Sequence, residues 1–148
     1  MTPDVNVLLA ASRSDHPHHA VALAWLQQAL ADAGTGVAPL VLQPMVLASF
    51  LRLATHPKIF VQPTPVADAL GFLEAVRNAP GVETARLGEE WPQLQALCME
   101  ASLAANAIPD AWLAAAVLHQ GEHLATFAGD FPRRPPPRQS PRLEPLPL

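Results

Sequence analysis

Cysteine, charge and long apolar runs are all scarce in this sequence. Its one cysteine, Cys98, leaves no internal disulfide and no thiolate-cluster metal site. Cys98 falls in a helical pattern with Leu94 and Leu97, the setting of a packed free thiol rather than of a nucleophile. No apolar stretch reaches the about 20 residues of a membrane span; the longest candidate, Ala111–Leu118, is interrupted too soon. The opening Met1-Thr2-Pro3-Asp4 has neither the basic start nor the apolar core of a signal peptide, so a cytoplasmic protein without membrane contact is expected. No Gly-rich phosphate loop is present, which argues against a generic nucleotide-binding domain. Charged residues make up 15% of the 148 positions and apolar ones 50%, the balance of one globular domain with its own core.

What charge there is lies unevenly. From Phe131 to Leu148 there are seven prolines, and four arginines (Arg133, Arg134, Arg138, Arg142) stand against Glu144. Proline at that density excludes helix or central strand for most of the segment and predicts a semi-rigid extended tail on the surface. Only Leu143–Leu148 could dock, as an edge strand. The chain therefore divides into a domain over 1–131 and a Pro/Arg-rich tail over 132–148. The body is then more acidic than the net charge of −4 for the whole chain. An acidic body argues against a broad electrostatic nucleic-acid surface. It leaves open a nuclease whose metal ions bridge acidic protein and anionic substrate.

Short apolar runs alternate with helical patterns. Pro3-Asp4 closes a very short strand, and Asn6–Ala11 begins a helix or prolongs that strand; periodicity cannot arbitrate on so short a run. Ser14 or Asp15 is expected to cap a helix over His18–Ala33, with Pro17 near its first turn. Val37–Leu42 reads as a strand, Pro44–Ala54 and Thr64–Ala79 as helices, and Gly81–Leu87 as a weak strand or loop. Trp91–Leu103 and Pro109–Gln120 are helical, the latter ended by Gly121, and His123–Phe127 is a strand. This alternation predicts an α/β fold with a mainly parallel sheet, where ligand chemistry gathers at the carboxyl ends of the strands.

Three aspartates sit at element edges in apolar settings: Asp4 after the first strand, Asp110 at the start of the last helix, and Asp130 after the last well-defined strand. Two or three converging carboxylates suffice for a hard cation such as Mg²⁺, which can position a phosphodiester and activate water. Each also has a local explanation, Asp110 as a charge favoured by the helix dipole and Asp130 as a turn residue after Gly129. His16, His18 and His19 cluster without an acidic or cysteine partner at zinc-like spacing, which suits capping and surface roles. Arg52 could touch phosphate or be solvated, and solvation is the simpler reading.

Asp4-Val5-Asn6-Val7-Leu8-Leu9-Ala10, Asp15-His16-Pro17-His18-His19-Ala20 and Ala24-Trp25-Leu26 together resemble the opening of PIN-domain toxins of the VapC type. Ala48-Ser49-Phe50-Leu51-Arg52-Leu53-Ala54-Thr55-His56-Pro57 is similar to the middle of one branch of that family. Pro109-Asp110-Ala111-Trp112-Leu113-Ala114-Ala115 and Leu124-Ala125-Thr126-Phe127-Ala128-Gly129-Asp130-Phe131 resemble its last two motifs, in the expected order. The resemblance implies a PIN-like α/β/α sandwich with a short central sheet and endoribonuclease activity dependent on Mg²⁺ or Mn²⁺. It also implies a cognate VapB-type antitoxin and homodimers. Asp4 and Asp110 match acidic positions of the family, Asn6 the polar residue supporting the first aspartate, and Thr126 the hydroxyl residue before the last acid. Two positions depart. Ser49 stands where many relatives carry glutamate, and Ala128 where an aspartate is usual, with Asp130 two residues on as the replacement ligand. The departure at Ala128 supports an alternative, a catalytically impaired PIN domain that binds RNA or an antitoxin. Apolar positions around Ala48–Leu53 and Thr64–Val76 exceed the need of one small core and predict an exposed interaction patch.

Overall fold

The computed structural model describes residues 1–105, 107–127 and 142–147. Among them the order is β1 (Thr2–Pro3), α1 (Val5–Ser12), α2 (His19–Gly34), β2 (Leu40–Leu42), α3 (Pro44–Ala54), α4 (Val66–Arg77), β3 (Val82–Thr84), α5 (Trp91–Ala101), α6 (Ala107–His119), β4 (His123–Phe127) and β5 (Arg142–Leu146). The expected α/β fold with a short parallel sheet is what the chain adopts.

Strand β4 lies between β1 and β5, and β2 pairs with β3, all in parallel. The Val41 N–H donates to the Met1 carbonyl at 2.8 Å, lacing the two sheets edge to edge in the order β3-β2-β1-β4-β5. Strand order runs outward from β1 through β2 to β3 and then resumes on its other side with β4 and β5. In open parallel sheets that reversal leaves a crevice at the carboxyl ends of the two strands flanking it. Here those strands are β1 and β4.

Helix α1 resolves the ambiguity after Asp4. Its residues Val7 to Ala11 are all buried, so it is covered on every side and carries no amphipathic period to read. Helices α1, α2, α3, α4 and α6 share the main core with the strands, around the fully buried Phe50, Leu8 and Leu124. Helix α6 contributes Leu113 and Val117 to that core, and turns Ala111, Ala114 and Ala115 onto Leu94 and Leu97 of α5, a smaller second core where Cys98 also packs.

The start of α2 differs from expectation. Its N-cap is His18, with no side-chain capping bond. Asp15 is engaged elsewhere: Arg13 donates to both of its oxygens, at 3.0 and 2.7 Å, and that bonding holds the Asp15 carboxyl below its ordinary pKa. Arg13 is buried, stacks its guanidinium over the Phe60 ring at 3.8 Å, and also donates to Thr64 Oγ1 and the Gln62 carbonyl. It thereby fastens the segment between α3 and α4 to the end of α1. Leaving the exposed Asp15 aside, Arg13→Met is expected to cost about 2–3 kcal/mol from the lost stacking and charged hydrogen bonds. A urea midpoint that does not move would show that other contacts hold this segment.

The three clustered histidines keep to local roles. His16 Nδ1 accepts the His18 N–H at 3.1 Å, the His19 Nδ1–H donates to the Ala10 carbonyl at 2.9 Å, and His18 packs on Phe127. Burial, helped by the neighbouring His18, lowers the pKa of His16. In the C-terminal segment, Arg142–Leu146 forms the edge strand of the sheet with Leu146 buried, starting one residue before the docking segment Leu143–Leu148 expected from sequence and overlapping most of it.

Candidate active site

Main-chain and side-chain hydrogen bonds together tie Asp4 to the point where the strand order reverses. Its main-chain N–H donates to the Ala125 carbonyl at 2.8 Å, continuing the β1–β4 ladder. Its Oδ1 accepts the Val5 N–H at 2.6 Å as the N-cap of α1. Its Oδ2 accepts the Thr126 hydroxyl at 2.9 Å. Strand, helix and hydroxyl therefore set the position and rotamer of one buried carboxylate, and the helix N-terminus favours its charge.

Asp110 arrives from the other end of the chain. Helix α6 begins at Ala107, earlier than the sequence suggested, which puts Pro109 and Asp110 in its first turn, where proline costs no helical hydrogen bond. Asp4, Ser49 and Asp110 line one cleft of ≈ 480 Å³. Asp110 stands at its rim, exposed by area, and partial desolvation still raises its pKa above the ordinary value.

The polar side chains named along this cleft, two carboxylates and the Ser49 hydroxyl, are oxygen donors, the kind that suits a hard divalent cation rather than a soft one. Among the described residues no group of three His, Cys, Asp or Glu side chains could by itself hold a metal ion. Such an ion would take its remaining ligands from water and phosphate, as magnesium commonly does. Thr126 is buried behind Asp4, and Asn6 lies half-buried in the first turn of α1, outside the lining of the cleft. Asp130 and Ala128 lie outside the described residues.

Two features of the site had no signal in the sequence. Trp112 lines the cleft and donates its indole N–H to Glu90 Oε1 at 2.7 Å. Glu90 is buried, and its Oε2 accepts the Gly88 N–H at 2.6 Å. Burial opposes its ionisation, but the indole and backbone donors outweigh that and hold its pKa below the ordinary value.

The family model described as PIN domain matches residues 1–135. The chain belongs to the PIN-domain family. Within it, the chain is 40% identical to ribonuclease VapC25 of Mycobacterium tuberculosis over 131 residues, covering 88% of this chain and 89% of the relative. It is 41% identical to ribonuclease VapC31 of the same species over 128 residues, 86% of each. Two solved PIN structures share the fold. VapBC2 from Rickettsia felis, bound to a DNA fragment from its promoter, superposes with a TM-score of 0.64 at 15% identity, over 98% of this chain and 97% of that one. The sarcin-ricin loop cleaving toxin VapC20 of M. tuberculosis gives 0.58 at 14% identity, over 87% and 90%. The expected family is therefore the right one, and this chain spans most of the length of ribonucleases VapC25 and VapC31.

Proposed function

We propose that this PIN domain is the RNA-cleaving toxin of a toxin–antitoxin pair, a metal-dependent endoribonuclease working through Asp4, Asp110 and Asp130. The observation that carries the reading is that Asp4 and Asp110, far apart in the chain, line one cleft beside the carboxyl end of β1. The relatives named ribonucleases and the VapC20 toxin support RNA as substrate. The VapBC2 complex supports a VapB-type antitoxin as partner. Cellular RNA as target makes the cytoplasm its place of action.

The oxygen donors fit Mg²⁺ or Mn²⁺, held by Asp4 and Asp110 with Asp130 as third acid in place of the missing carboxylate at Ala128. When bound, such a cation neutralises charge on the phosphodiester and makes water a better nucleophile. Thr126 holds the Asp4 carboxylate in one orientation, Asn6 supports the same end of α1, and Ser49 offers a hydroxyl to phosphate or water. Of the expected apolar patch, Phe50, Leu51 and Leu53 of α3 pack in or on the core, while Val66 and Leu70 of α4, with Ile59 and Val61 before it, are exposed, and we assign these four to a homodimer contact.

Purified protein is expected to cut RNA with Mg²⁺ or Mn²⁺ and to stop in EDTA; cleavage undiminished by EDTA would rule out the metal mechanism. Calorimetric titration with Mn²⁺ tests the ligand set. Ala128→Asp should tighten binding by on the order of ten-fold, about 1.4 kcal/mol. Asp130→Asn should weaken it in the parent and matter less beside Ala128→Asp, because groups serving one site are not additive. Parent-like affinity in Asp130→Asn would leave only two acidic ligands.

A further inference from the structure

Trp112 is 37% exposed, while its polar edge is tied down inside the protein. Its anchor, Glu90, is a carboxylate only 4% exposed that holds two donors, the indole N–H and the Gly88 N–H. Burying a charge in this way is costly unless it is well bonded, and here its bonds fix an aromatic ring at the wall of a cleft. Trp112 shares α6 and the cleft lining with Asp110, and Val5, Met45, Leu87 and Leu113 complete an apolar wall around it. Phosphate recognition has no use for such a wall. Unpaired bases do, since proteins that hold single-stranded nucleic acid stack its bases on aromatic side chains.

Building on the ribonuclease reading above, we propose that the Trp112 indole, pinned by Glu90, is the platform on which one nucleobase beside the scissile phosphate stacks. Glu90 acts through Trp112 and is a positioning residue. A ring already held in place loses little further freedom when a base settles on it, which is how preorganisation raises affinity.

The test uses the full chain in an Asp110→Asn background, so that bound RNA survives, with Mn²⁺ present. Of the three tryptophans, Trp25 and Trp91 are changed to Phe, leaving Trp112 as the only indole fluorophore. A short single-stranded oligoadenylate should quench its emission, and an abasic oligomer of the same length should not. Trp112→Leu should weaken oligoadenylate binding by on the order of ten- to a hundred-fold and leave the abasic oligomer unaffected. In the active enzyme, Glu90→Leu should raise KM at nearly constant kcat, the mark of lost ground-state binding, and Glu90→Gln, whose one oxygen can still accept from the indole but not also from Gly88, should restore part of it. Circular dichroism melts check that each variant folds; if Trp112→Leu does not, the quenching arm decides alone. Equal binding of oligoadenylate by parent and Trp112→Leu, or quenching by the abasic oligomer, overturns the stacking role and leaves the ribonuclease reading standing. Binding of neither oligomer, together with no cleavage by the parent, overturns both.

Discussion

Asp4→Asn and Asp110→Asn should each lower RNA cleavage by on the order of a thousand-fold, the loss expected when several kcal/mol of metal-assisted stabilisation disappears. Asparagine is the informative replacement at Asp4. That residue caps α1 through Val5, and asparagine caps a helix about as well as aspartate, so charge is lost while the fold is kept. Alanine would confound the two by removing a cap worth about 1 kcal/mol. Thr126→Val should fall between, with a loss of about ten- to a hundred-fold, because it frees the Asp4 carboxylate to rotate without removing it. Initial rates at saturating Mn²⁺, with thermal melts alongside, give the comparison. Full activity in both asparagine variants would remove these carboxylates from the mechanism.

Gly81→Ala should be among the most damaging single changes to stability, by about 3–5 kcal/mol. Gly81 has φ +74, and a Cβ there would run into the carbonyl group of Ala33 near the end of α2. The obstacle is backbone, so no rotamer change relieves it. Gly36 is the internal control. Its φ is +76, but an added Cβ would meet nothing within 4 Å, so Gly36→Ala should cost only the conformational strain of about 1–2 kcal/mol. Against a typical total of about 5–15 kcal/mol, the difference will be plain in urea midpoints. Equal shifts in the two variants would mean that close approach is not what selects glycine at Gly81.

Much of this architecture could be read from the residues because its signals are local. Pro44 opens α3 where a proline is tolerated at a helix start, and Gly121 follows α6 with φ +67. The motifs around Asp4 and Asp110 single out two residues that line the same cleft. The start of α2 was misjudged because a capping residue and a salt-bridge partner look alike in sequence, and Asp15 turned to Arg13. Glu90 gave no sign of its role, since its partner Trp112 lies on another helix and only the packing of α5 against α6 brings them together. Arg13 was equally silent, because its contacts with Thr64 and Gln62 form across a distant loop. Local spacing carries no information about such pairings.

The two cores of unequal size give the cleft walls of unequal permanence. Asp4 is rooted at the head of α1, whose buried residues sit in the main core, so the amides of α1 are expected to exchange only when much of the domain opens. Helix α5, by contrast, contributes only Leu94 and Leu97 as buried side chains to a cluster shared with α6, and elements with so few buried contacts open in small, frequent excursions. An opening of α5 is expected to reach the segment around Glu90, at its N-terminal boundary, before it reaches Asp4. The Asp4 wall of the cleft is therefore expected to show slower hydrogen exchange than the segment at the start of α5.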